Sequence, residues 1–565
     1  MFKPTSNEQV KLAEYWLQHG NLHSAQTLLL EIVQQEPGNF RAVELLANLF
    51  ANQNHIPAAV NLLEKNLNNP DCTYSALFFL GDLYLESGQA RAAVNAYKAA
   101  LTKVGPFFEG LHNLGLAHSH LFQFKEAAEV FQEAVSLNPN SFEAQINFGA
   151  CLKNLGEYDK SLHHLNIAKQ LSPNDARVFL NTGVTLEAMN KLEEALAYYE
   201  QAVALSPMYV EAFSNQANTL LTIGKYDEAN IAFQKALSIQ PNDPNTLYNL
   251  SRLQLAQENY QEGWKNYESR WLREDAPPSL FNSIPRLSAQ ENIDGKHILI
   301  WCEQGLGDSI QFARYVLPLK QRGAHITLAV QPQLIELLSG LAGIDSIMSY
   351  ADEAPAECDF QIPLMSLPFF FMEASIPEPI VTPYLKSNPT KSQLWQARLK
   401  CQPKLKVGLV WNGGFLPGHP KSWAINERRN IPLATIAQLH NTPGIEFISL
   451  QKGEPSESEL ISQKGIIWPS DNLSIYSTEL ANFSDTAALI ESLDLVISVD
   501  TAVAHLAGAL GKPLWILNRY DSCWRWPINQ ECTHWYPTAR IFTQPRQGDW
   551  QSVIEKVASE LRHLV

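Results

Sequence analysis

Val499-Asp500-Thr501-Ala502-Val503-Ala504-His505-Leu506-Ala507-Gly508-Ala509 follows the apolar run Leu493-Asp494-Leu495-Val496-Ile497-Ser498. That run has the length and β-branched content of a buried parallel strand, and the Ala-rich stretch after it reads as a helix. A strand that ends at Asp500 and passes Thr501 to a helix start brings together a carboxylate, a hydroxyl and several unpaired backbone N–H groups, with His505 one turn further along. Such a place suits a phosphorylated ligand. The alternative is that Thr501 or Asp500 only caps the helix while His505 packs in the interior.

Working outward, the same alternation of strand and helix fills the second half of the chain. Strands are expected at His297 to Cys302, Ala324 to Val330, Ile344 to Ser349 and Phe360 to Pro363, with a helix from Ser309 to Arg322 and another through Leu338. After a Pro-rich crossing from Pro377 to Pro389 they resume at Lys406 to Trp411, Ile445 to Leu450, Leu493 to Val499 and Pro513 to Leu517. A helix from Trp550 to Leu564 closes the chain, with the option of packing back on the first block. Two such blocks make two doubly wound domains facing across a cleft, in which ligands lie beyond the carboxyl ends of the strands.

That rule selects two further loops. Cys302-Glu303-Gln304-Gly305-Leu306-Gly307-Asp308-Ser309 has two glycines that let backbone approach a ligand, and it sets Asp308 at a helix start. It is neither a dinucleotide fingerprint, since Ile310 stands where a third Gly is required, nor a P-loop. Trp411-Asn412-Gly413-Gly414, running on to Lys421 and Asn426-Glu427-Arg428-Arg429-Asn430, offers backbone donors and fixed positive charge to a diphosphate. Arg428 reads there as surface charge.

The first half has another period. Small residues recur every 34 positions at Ala13, Ala47, Gly81, Gly115, Gly149, Gly183, Ala217 and Ser251, and again at Ala25, Ala59, Ala93, Ala127, Ser161, Ala195, Ala229 and Gly263. Large residues keep the step at Tyr97, Phe131, Leu165, Tyr199, Phe233 and Tyr267, and turn residues fall at Gly20, Asn54, Gly88, Gly156, Asn190 and Gly224. Each unit is therefore a helix, a tight turn and a second helix, with small residues where the helices cross and bulky ones filling the groove. Asn113, Asn147, Asn181, Asn215 and Asn249 form a further column. It is an amide ladder able either to hold a peptide backbone or to bond one repeat to the next.

This half resembles the tetratricopeptide repeat in length and pattern over roughly residues 6 to 272. The resemblance implies an all-α superhelix that holds a protein or peptide in its groove, with a spacer or an oligomerising element as the alternative. The set Gln304-Gly-Leu-Gly-Asp308, Val407-Gly-Leu-Val-Trp411 and Asp500-Thr-Ala-Val-Ala-His505 is similar to the heptosyltransferase-type glycosyltransferases, family 9 in kind, of the GT-B fold. In that family the matched Asp308 is the catalytic base, in the acceptor-side loop with Gln304, Gly305 and Gly307. The resemblance implies that Asp500, Thr501 and His505 hold the donor, a nucleotide-diphosphate sugar, with Arg429 as the basic residue; Ala502 beside them and Asn412 and Gly413 of the loop already described complete the expected donor site. Ala502 departs from the Gly common there.

The expected architecture is thus α followed by α/β: a repeat array over 1–272, a linker over 273–295, and two Rossmann-like domains over 296–390 (acceptor side) and 391–565 (donor side). The expected activity is a metal-independent, inverting transfer of a sugar to a protein acceptor, without a cofactor; a scaffold with an inactive transferase module is the competing reading. Seven scattered cysteines without a Cys-x-x-Cys pair argue against a disulfide framework and a zinc site. A net charge of -16 opposes binding to nucleic acid. No run approaches the length of a membrane span and the N-terminus lacks a signal core, so a cytoplasmic location is expected.

Overall fold

The computed structural model describes residues 5–276, 278–375, 378, 382–399, 404–414 and 422–565; Pro377, Cys401 and Lys421 lie outside them. The chain divides into two compact units, Met1–Leu205 and Ser206–Val565. Among the described residues no helix is long and apolar enough to cross a membrane.

The first unit is a run of helix pairs, from Ser6–Gln18 with Leu22–Gln35 to Ala176–Ala188 with Leu192–Leu205. The two columns of the sequence meet inside each pair. A Cβ on Gly81, Gly115 or Gly183 would come within 2.6 Å of the ring of Tyr97, Phe131 or Tyr199, so only glycine admits the aromatic residue. Those rings are fully buried. The turn between the paired helices is left-handed at Gly20, Asn54, Gly88, Gly156 and Asn190, and equally at Phe122, with φ 58°. The amide ladder is used between repeats: Asn113 donates to Asp82 (2.9 Å) and Asn147 meets His112 (3.1 Å). Asn181 instead donates to the carbonyl of Arg177 in its own helix.

The second unit opens with two more pairs, Val210–Thr222 with Tyr226–Ile239 and Pro244–Ala256 with Tyr260–Tyr267. Here too one ladder amide, Asn249, reaches the preceding repeat, at Ser214 (3.5 Å). Four parallel strands follow, β1 (His297–Trp301), β2 (His325–Val330), β3 (Ser346–Ser349) and β4 (Phe360–Pro363), in the order β3-β2-β1-β4. The segment expected as a linker straps the edge of β4, with Leu287 donating to Gln361 and Gln361 to Pro285. Six more parallel strands are β5 (Leu405–Val410), β6 (Ile445–Ser449), β7 (Leu473–Ile475), β8 (Leu495–Val499), β9 (Leu514–Asn518) and β10 (Ala539–Thr543). Their order, β10-β9-β8-β5-β6-β7, is the doubly wound one, so the direction of winding reverses between β5 and β8. In the first sheet it reverses between β1 and β4.

The inner strands of the second sheet feed two cores. Val407, Leu409, Ile497 and Val499 face the closing helix Trp550–Leu564 through Val553, Val557 and Leu561. Val410, Val496 and Ile516 face a second core that also takes in Ile298, Ile310 and Phe312 of the first domain and Trp264 and Tyr267 of the last repeat. Both Rossmann-like domains, in the GT-B pairing, and the last repeat thus share apolar contacts.

Two expectations need correction. Strands β7 and β10 are absent from the sequence reading: both lie at the edges of the sheet, β7 has only three residues, and Arg540 interrupts the apolar run of β10. The helix expected from Ser309 to Arg322 is Leu306–Phe312, a 3-10 turn Ala313–Tyr315 and then Val316–Lys320. Pro318 cannot donate to the carbonyl four residues back, which breaks the ladder at this point.

Candidate active site

The site is assembled from the loops at the two reversal points. Helix Ala502–Ala509 begins just after β8, and Thr501 stands at its N-cap position without a capping bond from its side chain. The hydroxyl shares a hydrogen bond with Ser498 Oγ (3.0 Å). The alternative in which Thr501 is a plain side-chain cap is thereby removed, and the helix start is left uncapped by a side chain.

His505 is 4% exposed, stacked on Trp526 at 5.5 Å and within 3.0 Å of the Tyr536 hydroxyl through Nδ1. Burial holds its pKa down to about 3 against the pull of Asp500, so it is neutral near pH 7. Its Nε2 lies 3.8 Å from Asp500 Oδ1. For Asp500, burial works toward the protonated form, but His505, Arg525, Arg429 and Arg519 outweigh it and hold the carboxyl below its ordinary range. With His505 neutral, the three arginines carry that effect at neutral pH.

Arg429 donates through Nη1 to the backbone carbonyl of Asp500 (3.2 Å) and through Nη2 to Asn426 Oδ1 (2.5 Å). Burial lowers its pKa and Asp500 offsets this only partly. The guanidinium lies so close to Gly413 that a Cβ there would be 2.0 Å from Nη2. The N–H of Gly413 donates to Asn430 Oδ1 (2.9 Å). Asn412 is turned away from this group: Nδ2 donates to Ser456 Oγ (2.7 Å), while Oδ1 is buried without a hydrogen-bond partner among the described residues.

On the facing loop Asp308 is the third residue of its helix, not the first. Oδ2 accepts from the N–H of Gly305 (2.9 Å), and Oδ1 is ion-paired with Arg525; the side chain is 21% exposed. Gly307 packs on the donor-side helix, where a Cβ would meet His505 Cδ2 at 2.8 Å and Ala502 Cα at 3.4 Å. The freedom of this glycine thus serves a close helix contact, where the sequence led us to expect approach to a ligand. Gln304 is drawn off, donating to the Tyr267 hydroxyl of the last repeat (2.8 Å).

Glu303, the neighbouring carboxylate, is 1% exposed, paired with Arg270 at 3.0 Å, and accepts from the N–H of Met365. Burial pushes it up to about 7 while Arg270 pulls the other way. It braces the end of the repeats against the first sheet and does not face the cleft group.

The structure therefore brings together Gly307, Asp308, Gly413, Arg429, Asp500, Thr501, Ala502 and His505, and leaves Gln304 and Asn412 to other contacts. Sequence reasoning missed the loop after β9. Arg519 and Arg525 on that loop are both about nine-tenths buried. Arg428, read as surface charge, has its side chain largely covered, 9% exposed, and paired with Asp521 of the same loop (3.0 Å). The signal was available: Arg519-Tyr520-Asp521-Ser522-Cys523-Trp524-Arg525-Trp526 follows a recognised strand next to β8. The same loop is buttressed by the last repeats, with Trp264 edge-on to Trp524 at 5.2 Å and Tyr260 bonded to His534 (2.9 Å). Among the described residues no group of three or more His, Cys, Asp or Glu could hold a metal ion.

With this geometry in hand, comparison with known proteins gives two matches of different kinds. Tetratricopeptide repeat families match residues 74–102, 108–141, 140–208, 180–244 and 232–265. The helical repeats are tetratricopeptide repeats, a fold that engages proteins and peptides. Residues 478–541 match glycosyltransferase family 9 (heptosyltransferase). This stretch holds Asp500, Thr501, Ala502, His505, Arg519 and Arg525, but neither Asp308 nor Arg429. Protein FlbA of Caulobacter vibrioides is 29% identical over 338 residues, 53% of this chain and 52% of that protein. The chain thus spans about half the length of this curated relative. Among solved structures, YrrB, a tetratricopeptide repeat protein with an unusual peptide-binding site, is 26% identical with a TM-score of 0.30, covering 33% of this chain and 95% of that one. A tetratricopeptide repeat protein from Parabacteroides merdae is 22% identical with a TM-score of 0.36, covering 43% of this chain and 97% of that one.

Proposed function

We propose that the two Rossmann-like domains form a metal-independent inverting glycosyltransferase that moves a sugar from a nucleotide-diphosphate donor to a protein acceptor brought by the repeats, in the cytoplasm. The observation that carries this reading is a surplus of buried and half-buried positive charge at the β5/β8 reversal point. Arg428, Arg429, Arg519 and Arg525 stand against Asp308, Asp500 and Asp521, with His505 neutral. Among the described residues the Nε atom of Arg429 is buried without a hydrogen-bond partner, and that of Arg519 has only Asp521 Oδ1 at 3.6 Å. A buried cation without its counter-charge is costly, and an anionic ligand removes that cost. The match to family 9 over the Asp500 segment makes a nucleotide sugar the natural anion.

In this reading the donor's diphosphate lies between Arg429, Arg519 and the start of helix Ala502–Ala509. An acceptor hydroxyl oxygen attacks the anomeric carbon as the bond from that carbon to the diphosphate oxygen breaks. The hydroxyl proton passes to Asp308, and the charge left on the nucleoside diphosphate is met by the arginines and the helix N-terminus. Anomeric configuration inverts because the displacement is single.

One observation favours the second reading, an interaction scaffold without turnover: both oxygens of Asp308 are already engaged, by Arg525 and by Gly305. The two are separated by calorimetry with ADP, GDP, UDP and dTDP and by transfer assays with the matching sugars. Arg429→Ala is expected to weaken nucleotide binding roughly tenfold or more, since a charge-assisted bond contributes about 1.5–3 kcal/mol. Asp308→Asn is expected to slow transfer by roughly 100- to 10,000-fold. Nucleotide binding without any transfer would establish the scaffold.

A further inference from the structure

Arg525 belongs to the second domain but spends its side chain on the first. Nη2 pairs with Asp308 Oδ1, Nε donates to Gln311 Oε1 (2.7 Å), and both acceptors stand on helix Leu306–Phe312. Nη1 donates to Cys523 Sγ (3.2 Å), and the guanidinium lies over the Trp524 ring at 4.1 Å. A guanidinium carries five N–H donors, so two are left over after these three bonds. The loop that presents it is held by Trp264 and Trp535 on Trp524 and by Ser522 Oγ donating to the carbonyl of Trp526 (2.6 Å). Arg525 is therefore placed before any ligand arrives. Its partner Asp308 directly follows Gly307, which packs on Ala502 and His505, so the charge of Arg525 stands beside the helix start assigned to the donor.

We infer that Arg525 is a ligand shared between Asp308 and the diphosphate of a bound donor, so that donor binding loosens the hold on the base. The inference rests on the reading of this cleft as a nucleotide-sugar site. One positive charge is contested by a carboxylate on one side and by a more highly charged diphosphate on the other. In the empty cleft the carboxylate has Arg525 to itself, and both its oxygens are engaged, by Arg525 and by the N–H of Gly305. A diphosphate at the start of helix Ala502–Ala509 draws the guanidinium's charge and its two remaining donors, and Asp308 becomes available to an acceptor hydroxyl. Arg525 acts here as a positioning residue: it tunes Asp308 and touches the leaving group without receiving the proton.

Coupling of this kind is reciprocal. If the nucleotide weakens the bond between Arg525 and Asp308, then removing the charge of Asp308 must strengthen nucleotide binding. The test uses the full chain and calorimetry with ADP, GDP, UDP and dTDP, taking the tightest binder forward. Asp308→Asn is expected to bind it fivefold or more tighter, and Arg525→Gln tenfold or more weaker. In the double variant the gain from Asp308→Asn disappears, and in Arg525→Lys, which keeps the charge without the fork, it shrinks. Melting midpoints without nucleotide identify any variant that fails to fold; should Arg525→Gln be one, Asp308→Asn in the wild-type and Arg525→Lys backgrounds decides. Unchanged or weaker binding in a folded Asp308→Asn overturns the inference and makes the pair a domain brace. If the wild type binds none of the four nucleotides, the reading of the cleft itself falls, a result distinct from the other.

Discussion

Gly149 and Gly413 do the same physical thing with different consequences. Each gives up a side chain so that a large neighbour can occupy the space: a Cβ on Gly149 would come 2.8 Å from Leu165, and one on Gly413 2.0 Å from Arg429. In the repeats both partners belong to one helix pair, and the pairing is written again in the next pair at the same spacing. In the second unit the partner is a buried cation delivered by a separate helix, and the arrangement occurs once. The first kind of glycine maintains a core; the second keeps room for a charge.

The sharpest way to break this comparison is to cut the molecule at the boundary between its compact units. Residues 206–565, which retain the two repeats that buttress the loop after β9, are expected to fold, to bind the nucleotide as the full chain does and to lose transfer to a protein acceptor altogether. A cut at 240 removes Tyr226 and Gly224, which pack against that loop around Tyr520 and Asp521, and is expected to lose nucleotide binding as well. Full transfer by residues 206–565 would reduce the first unit to a spacer.

The glycines give the next largest effect. Gly149→Val is expected to destabilise the first unit by roughly 1–3 kcal/mol through overpacking against Leu165, with no change in nucleotide affinity. Gly413→Val is expected to do the reverse, displacing Arg429 and weakening nucleotide binding about tenfold or more while the melting midpoint changes little. Thermal melts and calorimetry on the pair read this directly, and matching profiles for the two variants would erase the distinction.

Glu303 tests whether the carboxylate beside the acceptor loop is structural. Burial raises its pKa to about 7, so the folded protein takes up this proton before the unfolded chain does. The stabilisation from that uptake is complete below the ordinary carboxylate range and is lost as pH rises through about 7. Between pH 7.5 and 5 the wild type should therefore gain roughly 2 kcal/mol relative to Glu303→Gln, which has no proton to take up. Parallel curves of melting midpoint against pH for the two proteins would show that Glu303 does not titrate there. Transfer by Glu303→Gln at near the wild-type rate would agree with its place in the Arg270 pair.

How much of this was legible follows from the same contrast. The repeat columns are redundant, so Gly81 with Tyr97 and Gly115 with Phe131 confirm one another in the sequence, and the helices emerged where expected. The doubly wound half was legible through its buried strands, and Asp500, Thr501 and His505 through the strand-to-helix turn. Arg525 was not: its meaning depends on Asp308, far away in the chain, and no local pattern records an ion pair made by tertiary folding. Glu303 and Asp308 stand five residues apart in one loop; the sequence singled out Asp308 at the helix start, but the burial of Glu303 with Arg270 and the pairing of Asp308 with Arg525 come from the fold. Arg428 shows the opposite error, a charge taken as solvated that the loop after β9 covers.

The smallest expected effect lies where the repeats break their own rule. At the turn between paired helices the backbone is left-handed in every repeat of the first unit, and glycine or asparagine fills it at positions 20, 54, 88, 156 and 190. The fourth repeat has Phe122, with φ 58° and a side chain that is 60% exposed. For a residue with a bulky side chain this conformation costs about 1–2 kcal/mol, because Cβ crowds the following carbonyl. The exposed ring recovers little, resting edge-on against Phe124 at 6.1 Å. Phe122→Gly removes the crowding but gives the unfolded chain more freedom, and the two effects oppose each other. Phe122→Asn tolerates the left-handed turn without that entropic loss. We therefore expect Phe122→Asn to raise the stability of the first unit by about 1 kcal/mol and Phe122→Gly by less, both read from urea unfolding of residues 1–205. A loss of stability in both variants would mean that the ring on Phe124 outweighs the turn, and that this repeat is held by a contact its neighbours lack.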